Sequence, residues 1–171
     1  VRNARPVEWL LEHAPVDRHW TLVHATHLTA EETAGIAASG ATVAICPTTE
    51  ANLGDGLFPL REYLDAGGAW GIGSASHVSA APEELRWLEY GQRLHTRHRN
   101  IAVGGEGDSV GETLLHGTLD SGANASGQAV GVLAPGMAAD WIALDAQAPA
   151  FAGAQPADVV DRWLFSGNRN L

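Results

Sequence analysis

A single cysteine, Cys46, stands in the 171 residues, so no disulfide can form within the chain. It closes the apolar run 41–46 and is expected as a reduced, buried core residue of a cytoplasmic protein. Long apolar runs are missing as well. None approaches the roughly 20 residues that a membrane-spanning helix needs, which argues against a membrane partner. Positive charge is scarce: 10 basic residues face 20 acidic ones, for a formal net charge of −10. The arginines are scattered, so a broad phosphate-binding surface, and nucleic acid with it, is not expected. The stretch Val1 to Pro6 holds no initiating Met, no apolar signal core and no amphipathic transit pattern, as expected inside a longer chain.

What remains is a globular composition, 45% hydrophobic and 18% charged, with 20 glycines and 8 prolines. The length suits one domain or parts of two. In the first half, helical spacing alternates with short apolar runs. Helices are predicted over 6–14, 31–39 and 59–66, and strands over 20–24, 41–46 and 69–74. Thr29 caps and Gly40 stops the second helix. Helix–strand alternation with strands about 20 to 30 residues apart predicts a parallel sheet wrapped by helices, as in a (β/α) barrel. After Pro82 comes a helix with Glu83 and Glu84 in its first turn and Leu85, Leu88 and Leu94 along one face. The region 102–111 reads as a glycine-rich acidic loop and 112–123 as a further helix. Beyond it the period shortens: 130–133 and 140–145 read as two short strands joined by a turn at Pro135-Gly136, and 158–164 as a last helix or strand.

Chemistry in a parallel barrel gathers at the C-terminal ends of the strands. The first strand ends on His24, whose imidazole can accept or deliver a proton near neutral pH, and His24 is the leading candidate for catalysis. His27 follows in the loop and is assigned a structural role. The second strand runs into a polar loop, 46–56, where Glu50 and Asn52 are the candidates that face a polar substrate. The third ends in Gly71-Ile-Gly73-Ser74-Ala75-Ser76-His77, which offers Ser74, Ser76 and His77. Arg61, Arg86 and Arg93 fall in predicted helices and are read as surface or packing residues.

Taken in order, His24-x-x-His27, then Cys46-Pro-Thr-Thr-Glu50-Ala-Asn52-Leu-Gly54-Asp55-Gly56, then Gly71-Ile-Gly73-Ser74-x-Ser76-His77 resembles the last three barrel strands of the formimidoylglutamate deiminases. The stretch Glu83-Glu-Leu-Arg-Trp-Leu-Glu-Tyr-Gly-Gln-Arg93 extends the match. Residues 131–145 resemble the returning β-sandwich segment of the wider amidohydrolase superfamily. The resemblance implies an α/β fold: residues 1–127 form strands six to eight of a (β/α)8 TIM-like barrel and 128–171 form part of a small β-sandwich. It implies hydrolytic deamination of N-formimino-L-glutamate to N-formyl-L-glutamate and ammonia in histidine degradation, with a homodimer as the whole protein. The family's zinc lowers the pKa of its bound water to about 7, and its ligands are two histidines on the first strand, one on the fifth and an aspartate ending the eighth. The first five strands are not in this chain. His24 falls on the family's general acid/base, and Glu50, Asn52, Ser74 and His77 fall on the substrate side. The aspartate ligand falls on Ala75, which has no lone pair to offer a cation. Two alternatives stay open: a deaminase or chlorohydrolase of the same superfamily acting on a ring substrate, and a relative that binds without catalysis.

Overall fold

The computed structural model describes residues 4–105 and 107–166. Its centre is a three-stranded parallel sheet in the order β1-β2-β3, made of β1 (Thr21–Val23), β2 (Thr42–Ile45) and β3 (Ala69–Ile72). The chain enters through α1 (Pro6–His13), crosses from β1 to β2 by α2 (Ala30–Ser39), and from β2 to β3 by α3 (Pro47–Leu53) and α4 (Leu60–Asp65). Then follow α5 (Ala81–Thr96), α6 (Val110–Ser126), two 3-10 turns and α7 (Val159–Phe165). The three predicted strands and the helices joining them are thus all present. The helix over α2 is capped as its residues dictate: Thr29 accepts from Glu32 N–H, Glu32 returns the bond to Thr29 N–H, and Gly40 closes it with φ 77°.

The core forms where β2 and β3 meet the helices. Val43, Ile45, Phe58, Leu60, Tyr63, Trp70, Leu85, Leu88, Leu114 and Leu164 are buried there. The Tyr63 hydroxyl lies 3.1 Å from the carbonyls of both Ala41 and Ala69, at the starts of β2 and β3. α6 lies against β3, where Ser121 Oγ accepts from Trp70 N–H at 3.1 Å. Arg61, Arg86 and Arg93 all serve packing: Arg61 binds the carbonyls of Ile101 and Val103, Arg86 that of Leu164, and Arg93 the buried Glu89. Among the described residues no helix is long and apolar enough to cross a membrane.

The fold departs from expectation in four places. The polar loop expected after β2 is a helix over Pro47–Leu53, because Pro47 stands at its first turn and Gly54, at φ 72°, closes it. α6 runs through Gly122 to Ser126, since the small residues at 121 and 122 sit where the helix meets the backbone of β3. Leu94, placed on the buried face of α5, is 79% exposed, whereas Leu85 and Leu88 are in the core. The strands expected at 130–133 and 140–145 do not form. Val132, Leu133, Trp141 and Ile142 are exposed, and a lone apolar segment without a partner strand cannot satisfy its backbone as sheet. The last segment resolves to helix, α7.

A Cβ built on Gly68 would lie 2.3 Å from the buried Tyr63 ring. Gly68→Ala is therefore expected to cost about 1–3 kcal/mol through overpacking, read as a lowered denaturation midpoint, while Gly67→Ala, whose Cβ meets nothing within 4 Å but whose φ is +73°, is expected to cost less.

Candidate active site

Parallel pairing brings the three strand ends level. His24 N–H donates to Ala44 O and Gly73 N–H to Ile45 O, each at 2.9 Å, so the chain leaves all three strands at one edge of the sheet. His24, Ala25 and Ala75 all adopt positive φ, 70°, 52° and 46°. That region is uncommon outside glycine, and such residues cluster where a site needs a particular side-chain direction.

His24 and Glu50 meet across the first two strand ends. His24 Nδ1 lies 3.1 Å from Glu50 Oε1, with His24 half-buried and Glu50 4% exposed. The same Oε1 accepts from Cys46 N–H at 2.7 Å, so Glu50, from the first turns of α3, reaches back to close its own helix start. Burial raises the Glu50 carboxyl above its ordinary value of 4.5, against the opposing pull of the Cys46 N–H and His24. When Glu50 is ionised it accepts from Nδ1–H, which leaves Nε2 as the nitrogen that can exchange a proton.

Asn52 and His77 share a different feature. They line a cleft of about 350 Å³ between α3 and the loop after β3, together with Thr48, Ser79, Glu83 and Trp87. His24 and Glu50 are not among its lining residues. Ser74 contributes its carbonyl, which accepts from Thr49 Oγ at 2.8 Å, and Ser76 Oγ stands 3.5 Å from the same hydroxyl. His27 is exposed, and its carbonyl accepts from Arg5. Sequence reasoning missed the buried Glu84, whose carboxylate accepts from Thr48 and Ser79; its only signal was a place in a helix first turn.

Donor atoms of His24, Cys46 and Glu50 lie within 4.8 Å of one another. These are three donors, one short of the four that a closed zinc site takes, and Glu50 Oε1 already accepts from Cys46 N–H. Burial first, then Glu50 and Glu84, push the Cys46 thiol up to about 11. Ala75, where the resemblance sets a ligand, is exposed and presents only a methyl group. The described residues thus form a hydrogen-bonded His24–Glu50 pair beside Cys46, not a closed coordination shell.

Comparison with known proteins identifies the class. The amidohydrolase family profile matches residues 2–169, and the chain belongs to that family. It is 50% identical over 164 residues to formimidoylglutamate deiminase of Pseudomonas aeruginosa, a match covering 95% of this chain and 36% of that protein. An amidohydrolase structure from Brucella melitensis superposes with a TM-score of 0.87 at 43% identity, over 95% of this chain and 36% of that one. Atrazine chlorohydrolase from Arthrobacter aurescens, complexed with zinc, gives a TM-score of 0.64 at 29% identity, over 78% of this chain and 30% of that one. The chain therefore spans about a third of the length of the proteins it matches.

Because burial holds the Glu50 carboxyl above its ordinary value, folding favours the protonated form. Its stabilising share is full below the unfolded value and is lost as pH rises through the folded one. Glu50→Gln removes that loss: its melting temperature relative to the parent is expected to climb as pH goes from about 4 to about 7. A difference that stays flat over that range would contradict a raised Glu50 carboxyl.

Proposed function

We propose that this chain belongs to an enzyme that hydrolytically deaminates N-formimino-L-glutamate, a small-molecule substrate, to N-formyl-L-glutamate and ammonia. The observation that carries the reading is the 50% identity to a formimidoylglutamate deiminase across 95% of the chain, against 29% to the atrazine chlorohydrolase. The three level strand ends fit strands six to eight of a TIM-like barrel, while α7 packs on the same core as the sheet.

In this reading His24 is the proton-transfer group. With Nδ1 held by Glu50, Nε2 takes a proton as water oxygen adds to the formimino carbon and returns it to the terminal nitrogen. His24 then takes the remaining proton of the added hydroxyl and passes it to the same nitrogen; the C–N bond breaks, ammonia leaves, and the carbon keeps the oxygen as the formyl group. Buried Glu50 offsets the positive charge that the ring carries between the two transfers. Asn52 and His77 supply hydrogen-bonding groups to the neighbouring cleft, and the Ser74 and Ser76 hydroxyls belong to the adjoining loop. Zinc is the family's metal in this reading, but Ala75 withholds the carboxylate this chain would contribute, so no step is assigned to it.

Position 75 sits at φ 46°, a conformation that Asp and Asn tolerate better than most residues. Ala75→Asp is therefore expected to be accommodated, to raise bound zinc toward one per chain in the intact protein, and to raise ammonia release from N-formimino-L-glutamate. On that background His24→Ala is expected to lower the rate by about 10²–10⁴ with zinc content unchanged. Ammonia release that survives loss of His24 would remove it from the proton path, and failure of Ala75→Asp to act on this substrate would point to a ring substrate or to binding alone.

A further inference from the structure

Glu84 lies on α5, 2% exposed, outside the His24–Glu50 pair. One carboxylate oxygen accepts from Thr48 N–H at 3.0 Å; the other accepts from Thr48 Oγ at 2.5 Å and from the Ser79 hydroxyl. Thr48 lies in the first turn of α3, the helix that carries Glu50, and Ser79 stands in the loop that follows β3 and carries Ala75 and His77. One buried carboxylate therefore joins the segments after two strand ends to a third element. α5 reinforces the join further along, where Gln92 donates to Phe58 O at 2.8 Å and Gly91 admits Leu57.

Nothing at Glu84 reaches His24. Its partners are all framework groups, yet two of its three bonds end on the residue that fixes where α3 starts. Glu50 lies two residues further along that helix and must place one oxygen within reach of both Cys46 N–H and His24 Nδ1. A buried carboxylate with three donors is held firmly, because opening any one bond leaves charge without solvent. We propose that Glu84 is a positioning residue: by clamping Thr48 and Ser79 together it sets the start of α3, and so keeps Glu50 on His24 Nδ1. The inference rests on His24 and Glu50 acting as the proton relay.

The test reads the relay without needing turnover. In the intact protein with ¹⁵N-labelled histidine, the His24 Nδ1–H resonance is identified by its disappearance in His24→Gln, and its exchange with solvent is measured. Glu84→Gln, which puts an amide donor among groups that need an acceptor, is expected to speed that exchange about tenfold or more. Ser79→Ala and Thr48→Val keep the carboxylate and are expected to speed it less, in the same direction. If Glu84→Gln does not fold, these two variants decide the matter on the same signal. Exchange in the folded variants equal to the parent's would overturn the positioning role even with a lowered melting temperature. Absence of the slowly exchanging Nδ1–H in the parent would overturn the His24–Glu50 pair and the inference built on it.

Discussion

The in-register parallel pairing of β1, β2 and β3 is the constraint on which everything else depends. Residues 21, 42 and 69 stand side by side, and so do 23, 44 and 71, so three separate stretches of chain leave the sheet at one level. Parallel strands have evenly spaced, slanted bonds and need a crossover between them. Those crossovers, α2 and the α3–α4 pair, cover the sheet and bury Val43, Ile45 and Trp70. The same geometry that builds the core therefore sets His24, Cys46 and Gly73 next to one another. A slip of one residue in β1 would turn His24 to the other face of the sheet.

Buried glutamates hold the loops in place. Glu32, Glu50, Glu84 and Glu89 are all at most 5% exposed, and each accepts from at least one backbone N–H of a loop or helix end. Glu32 also takes Arg5, and Glu89 takes Arg93 besides the amides of Ile101 and Ala102. In a chain with net charge −10 this is a use of acid that solubility does not explain. Amides at turns and helix starts lack partners within their own element, and a carboxylate can satisfy two or three of them at once. Where the partner is the positively charged Arg5, the Glu32 carboxyl is lowered below its usual range, while burial raises Glu50 against the pull of the Cys46 N–H and His24.

Local pattern was enough to read the sheet and most helices, because apolar runs between turn residues and the three-four spacing of helices are local properties. Strand ends followed from the strands, and with them His24. What could not be read depended on contacts distant in sequence. α3 looked like a loop because its seven residues carry no apolar period and owe their place to α5 packed behind them. The His24–Glu50 contact spans 26 residues and the Thr48–Glu84 contact 36, and no spacing rule reaches that far. The expected strands of 130–145 failed for the same reason in reverse: their apolar residues were visible, but the partners that would pair them are not among the described residues. Leu94 shows the limit within a helix, where a continuous apolar stripe outran the core it was meant to cover.

Ala75 separates the framework of the site from its chemistry. The turn around it is held by bonds that need no side chain at 75: His77 N–H donates to Ser74 O at 2.9 Å, and Thr49 Oγ donates to the same carbonyl at 2.8 Å. Its positive φ persists with a methyl group in place, although alanine gains nothing from that conformation. None of the hydrogen bonds of His24, Glu50 and Glu84 passes through position 75, so the framework they build does not depend on the side chain there. In the proposed function, proton transfer at His24 and any cation ligand at 75 therefore rest on different groups, and the His24–Glu50 geometry holds whatever side chain stands at 75.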